Sequence, residues 1–280
     1  MKAVKNVLSG LFFSILALSH AWCDAVQECA LLEKVQFKRH DDKALAEILP
    51  IVHCSFRPTK YEEILLTQLR NVQSSTEQFR QTSEKIGDLL VSKVMECLPT
   101  KDVEFETPVT RCRGKVLLDE EMELVSIMRS GDALLKTFIH HFPKANISKV
   151  LIQREEKTAK PQFKYMKLSP DIASGHFVVI TEPMIATGGT LEMVISLLKE
   201  KGVREENIII ASICVAPEGL IFLNEKFPKI KVVMTAMDEK LNERKFIVPG
   251  LGDFGDRFFG TIEKHIVNAK KGSEVALKSS

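Results

Sequence analysis

The stretch that decides the fold is VVITEPMIATGGTLEMVISLL, which runs from Val178 to Leu198. It begins with an apolar run typical of a buried strand, continues through small residues, and ends in the apolar spacing of a helix. A strand followed directly by a helix predicts a βα unit. The small residues then lie at the carboxyl end of the strand, which is where parallel sheets bind ligands.

The loop of this unit has the composition of an anion site. Its backbone N–H groups are open to a ligand, and a helix beginning near Thr190 directs its positive end at them, which suits a phosphate. Glu182, at the strand end, is placed to bind ribose hydroxyls or a metal held by them. An ordinary βα turn, with threonine as the N-cap of the helix, explains the sequence of this loop equally well. A Walker A loop is excluded because no lysine follows the glycines. The loop residues are Ala186, Thr187, Gly188, Gly189 and Thr190.

The rest of the chain repeats the same alternation. The segments ELVSIM, ISKVLIQ, NIIIASICVA and KVVMTAM are typical of apolar strands, and ALLKTFIHHF and PEGLIFLNEKF of helices. A long amphipathic helix with Ser75 as N-cap is predicted for SSTEQFRQTSEKIGDLLVSKVMECL, and VEFETPV alternates like a half-buried strand. The pattern predicts an α/β fold with a parallel sheet covered on both faces.

Composition narrows the class of protein. The chain has 280 residues, of which 45% are hydrophobic and 27% charged, as in a globular protein. A net charge of +2 lacks the basic field of nucleic-acid binders, so no nucleic-acid partner is expected. The six cysteines have neither zinc-knuckle spacing nor the density of a disulfide scaffold. Cys214, in an apolar run, is predicted to be core.

The first 25 residues, MKAVKNVLSGLFFSILALSHAWCDA, have the layout of a signal peptide. Their apolar run is short and interrupted, so no stable membrane insertion is expected. An upstream start codon or a plain amphipathic extension is the alternative. We interpret 1–25 as a targeting segment, 26–60 as an N-terminal extension, 61–268 as the folded domain and 269–280 as a flexible tail.

A second glycine-rich stretch, GLGDFG, fits the dinucleotide pattern G-x-G-x-x-G. Pro249 precedes it, however, and no long helix clearly follows. Asp253 and Asp256 would repel a bare pyrophosphate. The glycines are better suited to letting backbone groups approach a small planar ligand.

These motifs together resemble one family. EPMIATGGT resembles the phosphoribosyl diphosphate (PRPP) motif of uracil phosphoribosyltransferases, and KFIVPGLGDFGDRFFGT (Lys245–Thr261) resembles that family's uracil-binding signature. SIMRSGDAL, LIQREEKT, YMKLSPDI, VAPEGL and DEKLNERKF follow the family order, and the resemblance spans about Thr67 to Thr261. It implies a type I phosphoribosyltransferase fold for 61–268, α/β and Rossmann-like, with a small hood over the active site.

The resemblance also implies an activity, the joining of uracil to PRPP to give UMP and pyrophosphate in pyrimidine salvage. Arg129 and Arg154 match the pyrophosphate-binding arginines, and Asp253 matches an acidic residue on the PRPP side. Asp253 and Arg129 are the expected catalytic residues. The expected PRPP-binding residues are Arg129, Arg154, Glu182, Pro183, Met184, Ile185, Ala186, Thr187, Gly188, Gly189, Thr190 and Asp253. The expected uracil-binding residues are Ile247, Gly252, Asp253 and Phe254.

The resemblance further implies Mg²⁺ bound with PRPP rather than at a metal site of the protein's own, and GTP as an allosteric activator. It implies a homodimer or homotetramer and a cytoplasmic location, whereas the signal-like leader points to an organelle or the secretory route. No covalent nucleophile is expected, because an oxocarbenium-like ribose is stabilised by positioning and charge.

Two alternatives remain at this stage. One is a non-catalytic regulator of the same fold that binds PRPP or a nucleotide, and the other is a phosphoribosyltransferase for another base. The intact Gly252-Asp253 pair and TGG loop favour the enzyme, and the complete VPGLGD signature favours uracil. The chain departs from the family at Glu182, where Asp is usual, at Phe246, where Tyr is usual, and in RSGDAL, which replaces RAGLGM. REEKTAKPQFKYMK suits either a flap over PRPP or a solvated hairpin arm.

Overall fold

The computed structural model describes residues 48, 50–55, 57–119, 121–154 and 161–261, with the side chain of Arg154 excepted. These residues lie in one compact unit, 46–280. The predicted targeting segment and flexible tail lie outside the described residues, as does most of the predicted extension, so the boundaries at 25, 60 and 268 stay predictions. Within the described ranges, no helix combines the length and the apolar character that crossing a membrane requires.

The described residues form six α-helices and eleven strands. The helices are α1 (Lys60–Arg70), α2 (Thr76–Glu96), α3 (Asp132–His141), α4 (Gly189–Glu200), α5 (Pro217–Lys226) and α6 (Phe254–Phe259), with a 3₁₀ turn at Glu205–Asn207. The strands are β1 (Thr100–Glu106), β2 (Arg111–Leu117), β3 (Met122–Met128), β4 (Asn146–Arg154), β5 (Pro161–Lys167), β6 (Phe177–Thr181), β7 (Met184–Ile185), β8 (Ile208–Val215), β9 (Lys231–Met237), β10 (Lys240–Leu241) and β11 (Ile247–Val248).

A seven-stranded sheet is the frame of the molecule. Its order is β5-β4-β3-β6-β8, and β7 and β9 also pair with β8. Every pair is parallel except β4 with β5. The predicted parallel sheet is therefore confirmed for its centre. The charged segment after β4 supplies an antiparallel edge strand, β5. Antiparallel neighbours need no crossover, so a short connection is enough to join β4 to β5.

The decisive stretch contains two strands rather than one. β6 ends at Thr181, and β7 resumes three residues later against the same neighbour, β8. Between them Pro183 has no N–H to donate to the ladder. Its carbonyl instead accepts N–H groups from Ile213 at 2.9 Å and Cys214 at 3.1 Å. The break places residue 182 outside the regular pairing, at the carboxyl end of β6.

The long amphipathic helix predicted from Ser75 is confirmed as α2. Ser75 Oγ accepts the N–H of Gln78 at 3.2 Å, and the Gln78 side chain accepts the N–H of Ser75 at 2.9 Å, a capping box. The predicted stripe lies inward and packs on α3, β8 and β9. Its members Phe79, Ile86, Leu90 and Val94 are buried, and Leu89 is half-buried.

Two features of the N-terminal half differ from the sequence interpretation. Helix α1 was not predicted, although Thr59 and Glu62 form a second capping box at its start. The first four residues of VEFETPV, 103–106, lie in strand β1 and the last three lie outside it, and the expectation that the segment is half-buried is wrong. β1 pairs with β2 in a separate two-stranded sheet, so most of its residues stay exposed, including Phe105 at 47%.

The helical core offers a matched test of packing. Ile86 on α2 is 0% exposed, whereas Ile64 on α1 is 57% exposed. We expect Ile86→Ala to lower the free energy of unfolding by about 2–5 kcal/mol, because it removes buried methyl groups and leaves a cavity. Ile64→Ala should change it by less than about 0.5 kcal/mol. Urea titration followed by circular dichroism measures both, and equal losses would contradict the assignment of this face to the core.

Candidate active site

One cavity of about 640 Å³ lies at the carboxyl ends of the parallel strands. Its walls come from the turn after β3, from the segment after β6, and from residues 242–255, which include β11 and the start of α6. Carboxyl ends of parallel strands meet at one edge of a sheet, so their loops converge there. The β10–β11 pair and the residues after it close one side, which agrees with the hood that the resemblance implies.

The small-residue loop turns into α4 through a glycine rather than a threonine. Gly188 is the N-cap, with φ 80° and no side-chain capping bond, and the helix begins at Gly189. The alternative with threonine as N-cap is therefore wrong. A Cβ on Gly188 would lie 2.9 Å from the Phe222 ring, so the turn requires glycine. The first turn of α4 is left without a side-chain cap, which suits an anion at this end.

Glu182 links the loop to the turn after β3. Its residue exposure is only 8%. The Ser130 hydroxyl donates to Glu182 Oε1 at 3.1 Å, and the Met184 N–H donates to the same oxygen at 3.4 Å. The carboxylate is thus held at the cavity wall by the turn after β3 and by the first residue of β7. A carboxylate held in this way can accept hydrogen bonds from ligand hydroxyls or bind a cation that accompanies them.

Arg129 bridges the end of β3 and the region of α6. Its guanidinium Nη2 lies 3.0 Å from Asp256 Oδ1, and its Nη1 donates to Thr261 Oγ1 at 3.3 Å. The guanidinium carbon lies 5.8 Å from the centre of the Phe259 ring. The Arg129 side chain remains 55% exposed, so this exposed ion pair can be exchanged for an anionic ligand at little cost.

In the 247–254 segment Ile247 and Phe254 are buried, whereas Asp253 is exposed. Asp253 caps α6, with its Oδ1 accepting the Asp256 N–H at 2.8 Å. The Phe254 side chain is 2% exposed and packs edge-to-face on Phe79 at 5.1 Å, so only its backbone can meet a ligand. Phe246 lines the cavity and is 48% exposed, so it is not a core residue.

The structure brings most of the predicted site residues into this cavity. Among its wall are Arg129, Glu182, Met184, Ile185, Ala186, Gly188, Thr190, Ile247, Gly252, Asp253 and Phe254. Pro183, Thr187 and Gly189 belong to the same loop without forming the wall. Arg154 ends β4, but its side chain lies outside the described part of the chain. Lys157 and Lys160, in the possible flap, also lie outside it.

The sequence interpretation missed several residues at the cavity. Ser130, Asn242, Arg244 and Lys245 contribute to its wall. Ser130 directly follows Arg129, a predicted site residue, in the same turn. Its position next to Arg129 could therefore have identified it as a site residue. Asn242 orders the hairpin, since its backbone N–H donates to Phe246 O at 2.8 Å and its side chain accepts the Phe246 N–H at 2.9 Å. Such a local contact leaves no mark in hydrophobic periodicity.

A largely buried ion pair contacts Gly250, a residue of the cavity wall. Arg70 Nη1 donates to Asp238 Oδ2 at 2.9 Å, and Arg70 Nη2 donates to Oδ1. Burial by itself lowers the pKa of Arg70, but the hydrogen bond and the charge of Asp238 outweigh it, so the pKa lies above its ordinary value. The Arg70 guanidinium therefore stays charged inside the protein.

Cys214 is core, as predicted, with 0% exposure on β8. Burial, together with the negative charge of Asp238, raises the pKa of its thiol to about 12. A protonated thiol is a poor nucleophile. Cys214 therefore has a structural role. Its strand, β8, pairs with β7 of the cavity segment, but the thiol itself is not a candidate nucleophile.

Comparisons with known proteins agree on one family. The sequence model described as "Uracil phosphoribosyltransferase" matches residues 58–261, more than half of the chain. The chain is similar to the uracil phosphoribosyltransferase of Exiguobacterium sibiricum, with 38% identity over 70% of this chain and 92% of the relative. The proteins of that name from Dictyoglomus turgidum and Dictyostelium discoideum are each 40% identical over 70% of this chain, covering 93% and 91% of the relatives.

A solved structure shares this architecture. The AQ2163 protein from Aquifex aeolicus matches with a TM-score of 0.64 and 31% sequence identity. The match covers 75% of this chain and 97% of that one. Nearly the whole of that protein therefore corresponds to about three quarters of this chain.

The cysteines provide a test of the burial of β8. In the folded protein at pH 8 we expect iodoacetamide to modify the exposed Cys112 and to leave Cys214 unmodified, because a thiol with a pKa of about 12 is almost wholly protonated there. Peptide mapping by mass spectrometry distinguishes the two sites. Labelling in denaturant, where both should react, is the control. Equal labelling rates in the folded protein would show that β8 is open to solvent.

Proposed function

Because the chain belongs to the uracil phosphoribosyltransferase family, we propose that it transfers the phosphoribosyl group of PRPP to uracil, giving UMP and pyrophosphate. It is an enzyme, a pentosyl-transferring glycosyltransferase. The observation that carries the proposal is the single cavity that unites the loop after β6, Arg129 and the 247–254 segment. These three parts supply the separate recognition that a phosphate, a leaving pyrophosphate and a base require.

The loop from 182 to 190 is assigned to the ribose 5-phosphate and the ribose. A phosphate is stabilised by the uncapped N–H groups and the positive end of α4, to which the hydroxyls of Thr187 and Thr190 add donors. Glu182 is assigned to the ribose hydroxyls, since carboxylate oxygens accept two such bonds side by side. Its contacts with Ser130 and Met184 keep it oriented before substrate arrives.

Arg129 and Arg154 are assigned to the pyrophosphate. A guanidinium binds phosphate oxygens in a bidentate manner, and two of them neutralise charge that grows as the leaving group departs. Arg129 already has an anionic partner, the Asp256 carboxylate at 3.0 Å. Pyrophosphate would take the place of the Asp256 carboxylate at this guanidinium. The arginine would then exchange one anionic partner for another, with little additional desolvation.

Mg²⁺ is treated as part of the substrate complex with PRPP. In the described ranges, no group of three or more His, Cys, Asp or Glu residues is arranged to hold a metal ion. Magnesium commonly binds through one or two carboxylates together with substrate phosphates. Glu182 and Asp253, both on the cavity wall, are the carboxylates that fit such a complex.

Uracil is assigned to backbone groups of Ile247, Gly252 and Phe254. The uracil edge alternates donors and acceptors, which peptide N–H and C=O groups can match without flexible side chains. The buried Phe254 side chain supports this assignment, since it leaves only the main chain for the ligand. Phe246 lies at the cavity and can cover the ring face.

The reaction needs no covalent intermediate. The C1′–O bond of PRPP breaks, its electron pair leaves with pyrophosphate, and uracil N1 forms the new bond to C1′ and loses its proton. Asp253, which is held by its capping bond to Asp256, is assigned to the PRPP side, where it orients the reacting groups and accepts that proton. The chain then contributes chiefly positioning and charge stabilisation.

GTP activation, a homodimer or homotetramer and a cytoplasmic location are further proposals that rest on the family alone. Adding GTP to the assay and measuring the molar mass by light scattering test the first two. For the non-catalytic alternative, the relatives compared above give no support, because all three carry the name of the transferase.

The first experiment measures UMP formation by the full-length chain from uracil, PRPP and Mg²⁺. We expect turnover with uracil and none with adenine, hypoxanthine or orotate, because the pocket formed by 247–254 is matched to uracil. Separation of products by anion-exchange chromatography provides the measurement. PRPP binding without UMP formation would instead identify the regulator.

Asp253→Asn separates the carboxylate's chemistry from its role as a helix cap. Asparagine caps a helix about as well as aspartate, so α6 should persist. We expect turnover to fall by about 10²-fold or more, as for the loss of a proton-transfer group, with the melting temperature nearly unchanged. Asp171→Asn, at an exposed position between β5 and β6, is the control and should keep full activity. Near-normal rates for Asp253→Asn would remove Asp253 from the catalytic residues.

A further inference from the structure

Two of the residues assigned to uracil, Ile247 and Gly252, belong to the loop 247–252, which we call the base loop. The structure assigns Arg70 and Asp238 as positioning residues of this loop: they fix its backbone and so govern the binding of uracil without touching it. This inference rests on the proposed function and deepens it. Neither residue had been assigned a role from the sequence.

The contacts converge on one residue of the base loop, Gly250. Asp238 Oδ2 accepts the Gly250 N–H at 2.8 Å, and Arg70 Nη1 donates to the Gly250 carbonyl at 2.9 Å. The same Nη1 also donates to Asp238 Oδ2 at 2.9 Å, and Nη2 donates to Oδ1. The Arg70–Asp238 pair therefore holds both polar groups of a single residue.

Burial of the Arg70–Asp238 pair makes its hold on Gly250 rigid. The Asp238 side chain is 2% exposed and that of Arg70 is 24% exposed. Removing one member of a buried ion pair leaves the other charge desolvated and uncompensated, which is far costlier than breaking a surface pair. The position also requires glycine, because the φ of Gly250 is 59° and a Cβ there would lie 2.2 Å from the Ile247 carbonyl oxygen.

A second arginine extends the attachment by one residue. Arg257 Nη1 donates to the Leu251 carbonyl at 2.7 Å and also to the carbonyl of Leu69, at the end of α1. Its Nη2 donates to the Asn71 carbonyl at 2.7 Å. Two successive residues of the base loop are thus tied to the carboxyl end of the same helix.

The attachment has a specific consequence for recognition. Ile247 and Gly252, assigned to uracil, flank the two fixed residues, so their separation depends on where Gly250 and Leu251 are held. The PRPP loop leaves a different strand, β6, and none of the hydrogen bonds of Arg70 and Asp238 described above reaches it. Weakening the pair should therefore impair uracil binding and spare PRPP binding.

Steady-state kinetics of the full-length chain test this split with Arg70→Met, Asp238→Asn and the double variant. We expect the KM for uracil to rise about tenfold or more in each single variant, the range for lost hydrogen bonds to charged groups, and the KM for PRPP to stay within about twofold. The double variant should be no worse than the poorer single one, because the two residues act as one unit.

Controls exclude a general loss of structure. Lys136→Met removes an exposed ion pair between α3 and α2, with Glu84 at 2.9 Å, and should leave both KM values unchanged. Arg70→Lys keeps the charge but loses the bidentate geometry, so it should fold while still raising the KM for uracil. A variant that only misfolds would lower kcat with both KM values unchanged, which would overturn the inference.

Hydrogen exchange gives a readout that does not depend on activity. In Arg70→Lys, peptides covering 247–253 should exchange faster than in the wild type, while peptides covering 178–198 stay the same. If the wild type forms no UMP, the proposed function fails, and this exchange difference alone decides whether the pair holds the loop. If the wild type is active but the variant shows neither faster exchange nor a raised KM for uracil, only the positioning inference fails.

Discussion

A parallel sheet buried on both faces is the constraint from which the rest of the structure follows. All eight residues of β8, Ile208–Val215, are buried, and helices cover the sheet so that apolar side chains fill both faces. Charged ligands cannot be bound on such faces without a large desolvation cost. Chemistry is therefore confined to the carboxyl edge of the sheet, where the strands end and backbone N–H groups become available.

The proposed function requires two different means of recognition at that edge. The proposed phosphate site relies on charge and on a helix terminus, which tolerate small displacements because electrostatic attraction falls off slowly with distance. The proposed uracil site relies on backbone hydrogen bonds, which weaken steeply with poor geometry. The proposed base loop therefore needs rigid support, and this difference is consistent with partly buried arginines holding 250 and 251 while the Arg129 side chain remains 55% exposed.

The sequence predicted the parts of this design that leave a periodic or local signal. The apolar strands, the stripe and cap of α2, and the glycine-rich segments at the cavity all follow from spacing and residue type. What it could not predict depends on distant pairing. Arg70 and Asp238 are 168 positions apart, so their contact exists only in the folded chain. The break at Pro183 hid β7, and the exposure of β1 depends on which strand it pairs with rather than on its own alternation.

The glutamate at 182, where the family usually has aspartate, can be understood from the same packing. Its extra methylene extends the carboxylate farther from the backbone than an aspartate would reach. In this chain Ser130 and the Met184 N–H hold one carboxylate oxygen, so the longer arm is anchored at both ends. An anchored glutamate loses little further rotational freedom when ligand binds, which offsets the greater entropy of its longer side chain. Ser130 thus gives the longer acid the orientation that a shorter one has through its own stiffness.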